Sequence, residues 1–117
     1  MVVGINSSWK LPIGYFFIAH LNAEEKQNLL EIALRKLFDI QVQVVSVTCD
    51  GPVANFSTLR KMGASFDLTE MKCSFPHPSD STIQVSVIFD ACHLLKLARN
   101  TIADYKVLID GDGKKIR

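Results

Sequence analysis

The sequence predicts an α/β fold of the mixed α+β kind, a mixed sheet with flanking helices. Three observations carry that expectation. Two β-branched runs, "QVQVVSVTC" (41–49) and "TIQVSVIFD" (82–90), each close on or just before an aspartate and run on towards helical patterns. An amphipathic stretch at 23–38 stands before the first of them, and two apolar runs near the start are close enough to pair.

Residues 1–6 and 12–19 ("PIGYFFIA") read as a hairpin with Ser7 and Ser8 near its turn. Trp9, Tyr15, Phe16 and Phe17 are then hairpin and core aromatics. Asn22 is placed as an N-cap with Glu25 completing a capping box, and Leu30, Ala33, Leu34, Leu37 and Phe38 recur at helical spacing. Arg35 and Lys36 suit the carbonyl end of that helix. The run 41–49 is apolar on both sides at its centre and is expected to be a strand covered on both faces. A short helix follows from Pro52 to Met62, with Gly63 ending it. Residues 64–81, with "FPHPSDS" inside, have the proline and serine density of a surface loop. After the second strand, "ACHLLKLARNTIADY" is expected to bury Leu94, Leu95, Ala98 and Ile102, and "VLIDGDGKKIR" reads as a strand followed by an Asp-Gly turn.

With 117 residues and 48% hydrophobic content, the chain suits one domain with a core of its own. Thirteen basic and twelve acidic residues give a net charge of +1, which excludes a strongly basic nucleic-acid coat; any charged surface is local. Cys49, Cys73 and Cys92 lack C-x-x-C spacing; two of them sit where strands meet following turns or helices, as small buried residues do, and a reduced, intracellular compartment is expected. No apolar run has the length of a membrane span, and no signal peptide opens the chain. Met1 leads straight into "VVGI", as though a strand were entered midway, so a piece of a longer protein is expected.

Asp50 and Asp90 end the two apolar strands, where the loops of an open α/β sheet converge. There they can share a hard divalent cation, or they can simply cap the helices that follow. "DGPVAN", which contains Asn55, lacks both the Walker and the dinucleotide glycine patterns. His93, Lys96 and Asn100 share one helical stripe, which faces a polyanion or a nucleotide, or is a solvated face. His20 and His77 stand alone and read as surface or loop residues. No nucleophile elbow supports a Ser-His-Asp or Cys-His set.

The ordered phrases "MVVGI…WKLPIGYFFI", "VTCDGPVAN", "FPHP" and "IFDACHLLKLARN" resemble the P element transposase family, among them the THAP-domain-containing transposase-like proteins of animals. The resemblance covers essentially the whole chain. It implies an RNase H-like sheet lacking its first strand, with residues 1–90 a partial catalytic domain and 91–117 the start of an inserted, GTP-binding-type domain. The hairpin would be the second and third strands of a meander, and the missing strand would leave backbone rows unpaired in the middle of the sheet. The family holds Mg²⁺ or Mn²⁺ on an Asp-Asp-Glu set for DNA strand cleavage and transfer. Asp50 matches the second aspartate of that set; the first acid and the glutamate have no counterpart here. Asp90, His93, Lys96, Asn100 and Asn55 are implied only as residues organising the site or the insertion. Nuclear location, DNA as partner, GTP as a cofactor of the full-length protein and possible homo-oligomers follow from the same resemblance. The fragment alone is expected to be inactive. The alternatives are a domesticated, non-catalytic DNA- or protein-binding remnant, and an unrelated α/β nucleotide-binding module.

Overall fold

The computed structural model describes residues 1–16, 20–51 and 53–116. The chain opens on a small antiparallel hairpin, β1 (Val2–Val3) with β2 (Lys10–Leu11), in the register Val2↔Leu11 and Val3↔Lys10. The second strand thus stops where the sequence reading began it. Pro12 has no N–H to continue the ladder, so pairing ends at Leu11. The indole of Trp9 lies so close over Gly4 that a Cβ there would sit 2.5 Å from Nε1, so a larger residue would have to displace the ring. Trp9, Tyr15 and Phe16 are exposed at 45%, 82% and 60%, so these aromatics clothe the surface rather than the core. Phe17, with the rest of the expected strand to residue 19, lies outside the described residues.

Helix α1 (Ala23–Asp39) starts as its capping box dictates. Asn22 Oδ1 accepts the Glu24 and Glu25 N–H groups, while Glu25 Oε2 accepts the Asn22 N–H at 2.9 Å. It closes with the Val42 N–H on Leu37 O and the Gln41 N–H on Phe38 O, which forces Gln41 into a left-handed φ of 63°. The strand that follows, β3 (Ser46–Cys49), is shorter than the run 41–49, because this helix exit consumes Gln41 and Val42. Helix α2 (Val53–Met62) ends at Gly63, φ 111°, in the same pattern: the Ala64 N–H bonds Leu59 O and the Gly63 N–H bonds Arg60 O.

Residues 64–81 are not the surface loop that their prolines suggest. They contain β4 (Ser74–His77), which pairs antiparallel with β5 (Asp80–Phe89). Pro76 is tolerated because β4 is an edge strand, and the ladder shifts register directly after it. Phe75 is fully buried and His77 is 3% exposed, so this histidine is not the surface residue expected. Its Nδ1 accepts the Ser79 N–H at 3.1 Å, its ring lies 5.1 Å from that of Phe38, and Nε2 has no partner among the described residues.

The sheet order is β3-β5-β4, with β3 and β5 parallel. The inward residues Phe75, Val85 and Val87 meet Leu34 of α1 and Leu59 and Met62 of α2, with Ala64 completing the core. The opposite face carries Thr48, Gln84, Ser86 and Ile88 and is exposed, so β3 is covered on one face and not two. The outer edge of β3 has no strand beside it among the described residues. Helix α3 (Ala91–Tyr105) follows β5 but has no buried residue; Leu94, Leu95 and Ile102 are all exposed and so is Ala98, contrary to their periodic spacing. Periodicity reports an apolar stripe, not whether anything covers it. A last hairpin, β6 (Leu108–Ile109) with β7 (Lys115–Ile116), turns through Asp110, whose Oδ1 accepts the Asp112 and Lys114 N–H groups. With these projections the radius of gyration is 17.1 Å, against about 13 Å for a compact domain of this length.

Candidate functional site

The parallel pairing sets Cys49 opposite Phe89, so Asp50 and Asp90 leave neighbouring strands side by side at the carboxyl edge of the sheet. The Asp90 N–H bonds Cys49 O at 2.9 Å, tying the two exits together. Beneath them Phe56, Phe66 and Phe89 form an aromatic floor, with ring centroids 4.6 to 5.4 Å apart. That floor fixes the first turn of α2 against the strand ends.

The two aspartates have different surroundings. Asp90 is the N-cap of α3, its Oδ1 accepting the Cys92 N–H at 3.1 Å. Asp50 caps nothing among the described residues. Its Oδ1 instead accepts the Asn55 side-chain amide at 2.6 Å, and the same Nδ2 reaches Asp50 O at 3.2 Å. Asn55 Oδ1 in turn accepts Lys26 Nζ at 3.1 Å. Asp50 Oδ2 carries no hydrogen bond among the described residues, and the side chain stands on an exposed residue.

Directly behind, Cys49 is half-buried, and burial pushes its thiol above the usual cysteine range; the Asp50 charge adds to this and Lys26 opposes it. It is a packed, inert thiol, as the sequence reading expects, whereas Cys73 and Cys92 are exposed. A cavity of about 150 Å³ next to it is lined by Lys26, Leu30, Val47, Cys49, Asn55 and Leu59. On α3, His93 is half-buried while Lys96 and Asn100 are exposed, and the Asn100 side chain accepts from Arg99. None of these three bonds to Asp50 among the described residues. His20 is exposed, as expected. Lys26 escaped the sequence reading, because nothing local distinguishes it from other charged residues on a helix; only the fold brings it to Asn55.

A carboxylate at a strand end with one oxygen bonded and one open is a donor suited to a hard divalent cation. Among the described residues no three acids, histidines or cysteines are gathered to hold a metal, so the fit is that of one ligand and not of a whole site.

The model of the TNP-like, RNase H N-terminal domain family matches residues 1–63, just over half of the chain. The chain belongs to this family. The TNP-like RNase H relatives include the human DNA transposase THAP9, 38% identical over 106 residues, which are 91% of this chain and 12% of that protein. The transposable element P transposase of Drosophila melanogaster is 31% identical over 95% of this chain and 14% of its own length. Among solved structures, the Drosophila P element transposase strand transfer complex is similar with a TM-score of 0.73 and 30% identity, covering 97% of this chain and 24% of that one. The chain thus spans about an eighth of these curated relatives and matches an RNase H-like portion of them. The RNase H-like α/β class expected from the sequence is the one found.

Proposed function

We propose that this chain is part of the catalytic domain of a P element-like DNA transposase and that Asp50 is one of the carboxylates holding its divalent metal, Mg²⁺ or Mn²⁺. The observation that carries the reading is how the two strand-end aspartates are held: Asp90 is the N-cap of α3, while Asp50, at the carboxyl end of a parallel strand, caps nothing among the described residues and has its Oδ1 held by the side-chain amide of Asn55. In such sites the metal stabilises the entering and leaving oxygens of phosphoryl transfer. Asp50 would supply a ligand, the α2 amide of Asn55 would hold that ligand's orientation, and Asp90 would keep α3 starting beside it. One carboxylate does not build a two-metal centre, so residues 1–117 alone are inactive in this reading.

The family likeness supports DNA as the partner of the whole protein and the nucleus as its location; no helix among the described residues is long and apolar enough to cross a membrane. We place the RNase H-like portion at 1–90 and the start of an insertion at 91–117, because α3 leaves the body of the domain without burying a residue. GTP is a cofactor of the full-length protein in this reading, held largely by the inserted domain of which 91–117 would be only the start.

The test is Mn²⁺ titration of the ¹⁵N-labelled chain. Paramagnetic broadening should centre on residues 49–51, vanish in Asp50→Asn and persist in Asp90→Asn, since asparagine is as good a cap as aspartate. Equal broadening in Asp50→Asn would overturn the assignment.

A further inference from the structure

We propose that Lys26 and Asn55 are positioning residues that aim the Asp50 carboxylate, an inference that rests on reading Asp50 as a metal ligand. The two residues and Asp50 come from three elements: Lys26 from α1, Asn55 from α2 and Asp50 from the exit of β3. A lysine ammonium can only donate, so its 3.1 Å bond must take the carbonyl oxygen of the Asn55 amide. That choice turns Nδ2 towards Asp50, where it donates to Oδ1 at 2.6 Å and to the backbone O at 3.2 Å. Two acceptors on one residue gripped by one nitrogen restrict how the side chain can turn. Oδ1 is committed and Oδ2 is left for the cation.

The arrangement is anchored at both ends. Thr58 Oγ1 donates to Ala23 O at 3.3 Å, fastening α2 to the start of α1 three residues from Lys26 and Asn55 alike. The stem of Lys26 borders the cavity of about 150 Å³ beside Cys49, so its charged end reaches the amide over half-buried surface rather than through open water. A cation at the far side of an amide polarises it and strengthens the bond it donates. Partners of this kind, one bond removed from a metal, typically change metal affinity by about 10- to 100-fold when lost.

The experiment has two arms on the full chain. In the metal-free arm, the Asn55 side-chain amide is followed by ¹H-¹⁵N NMR in the wild type, Lys26→Met, Lys26→Arg and Asp50→Asn. The proposal expects its signals to move in Lys26→Met and Asp50→Asn and to stay near the wild-type position in Lys26→Arg. Signals indifferent to Lys26→Met and Asp50→Asn overturn it. In the metal arm, Mn²⁺ broadening around Asp50 is titrated in Asn55→Leu, in Asn55→Ala and in Lys26→Met. The expected result is affinity weakened about 10-fold or more in Asn55→Ala and Lys26→Met. The near-isosteric, uncharged Asn55→Leu, for which the same loss is expected, serves should Asn55→Ala not fold, and a preserved amide spectrum elsewhere shows that the fold is intact. Wild-type affinity in the Asn55 and Lys26 variants, with loss in Asp50→Asn, defeats the positioning role alone. No broadening near Asp50 in the wild type defeats the ligand reading, and the metal-free arm then still decides whether the three residues act as one unit.

Discussion

Replacing Phe75 by alanine tests whether β4 belongs to the core. Phe75 has no exposed surface and packs among Leu34, Leu59, Met62, Val85 and Val87. Removing the ring opens a cavity of roughly 100 Å³, which at about 24 cal/mol per Å³ costs about 2.4 kcal/mol. The lost transfer energy of the ring adds about 2 kcal/mol. The sum of about 4 kcal/mol lies within the range seen for buried phenylalanines. Domains of this size carry roughly 6 to 18 kcal/mol of stability, and a core this small favours the low end, so the substitution should remove about two-thirds of it. Urea unfolding followed by far-UV circular dichroism measures the change, with Ile88→Ala on the open face of β5, 50% exposed, as the comparison. A loss for Phe75→Ala no greater than that for Ile88→Ala would refute the placement of β4.

Gln41→Gly relieves a left-handed φ of 63° and should raise stability by about 1 kcal/mol, read from the urea midpoint; a fall would mean that the Gln41 side chain contributes more than the strain costs. Asp80 is held below the usual carboxylate range, first by the Thr82 hydroxyl and then by the Thr82 N–H. Its folded value is depressed, so its contribution is present above the unfolded value of 3.8 and is lost as pH falls below that through the folded value; Asp80→Asn should flatten the acid limb of the stability curve, and an unchanged limb would contradict this. The open outer edge of β3 should make the isolated chain self-associate. Sedimentation that shows a monomer at all concentrations would refute it.

What was legible in the sequence is what local chemistry determines. Asn22 and Glu25 announce the start of α1, Gly63 the end of α2, and the two β-branched runs the parallel pair β3 and β5. The misreadings share one cause: local pattern does not reveal neighbours. Pro76 looks like a loop residue until an edge strand accommodates it. Leu94, Leu95 and Ile102 have core spacing, yet each stays at least 41% exposed. His77 gives no sign of burial, because the Phe38 ring beside it comes from elsewhere in the chain. At the site, Asp50 was visible from the strand that delivers it, and Asn55 from its place in the same phrase. Lys26 stands 29 residues from Asn55 and was not.

The most direct measurement is anomalous diffraction from crystals of the chain grown or soaked in millimolar Mn²⁺. The account predicts a manganese peak at the Asp50 carboxylate, on Oδ2, with Oδ1 still held by Asn55. A manganese peak elsewhere with Asp50 bare, or a peak that remains after Asp50→Asn, would contradict it.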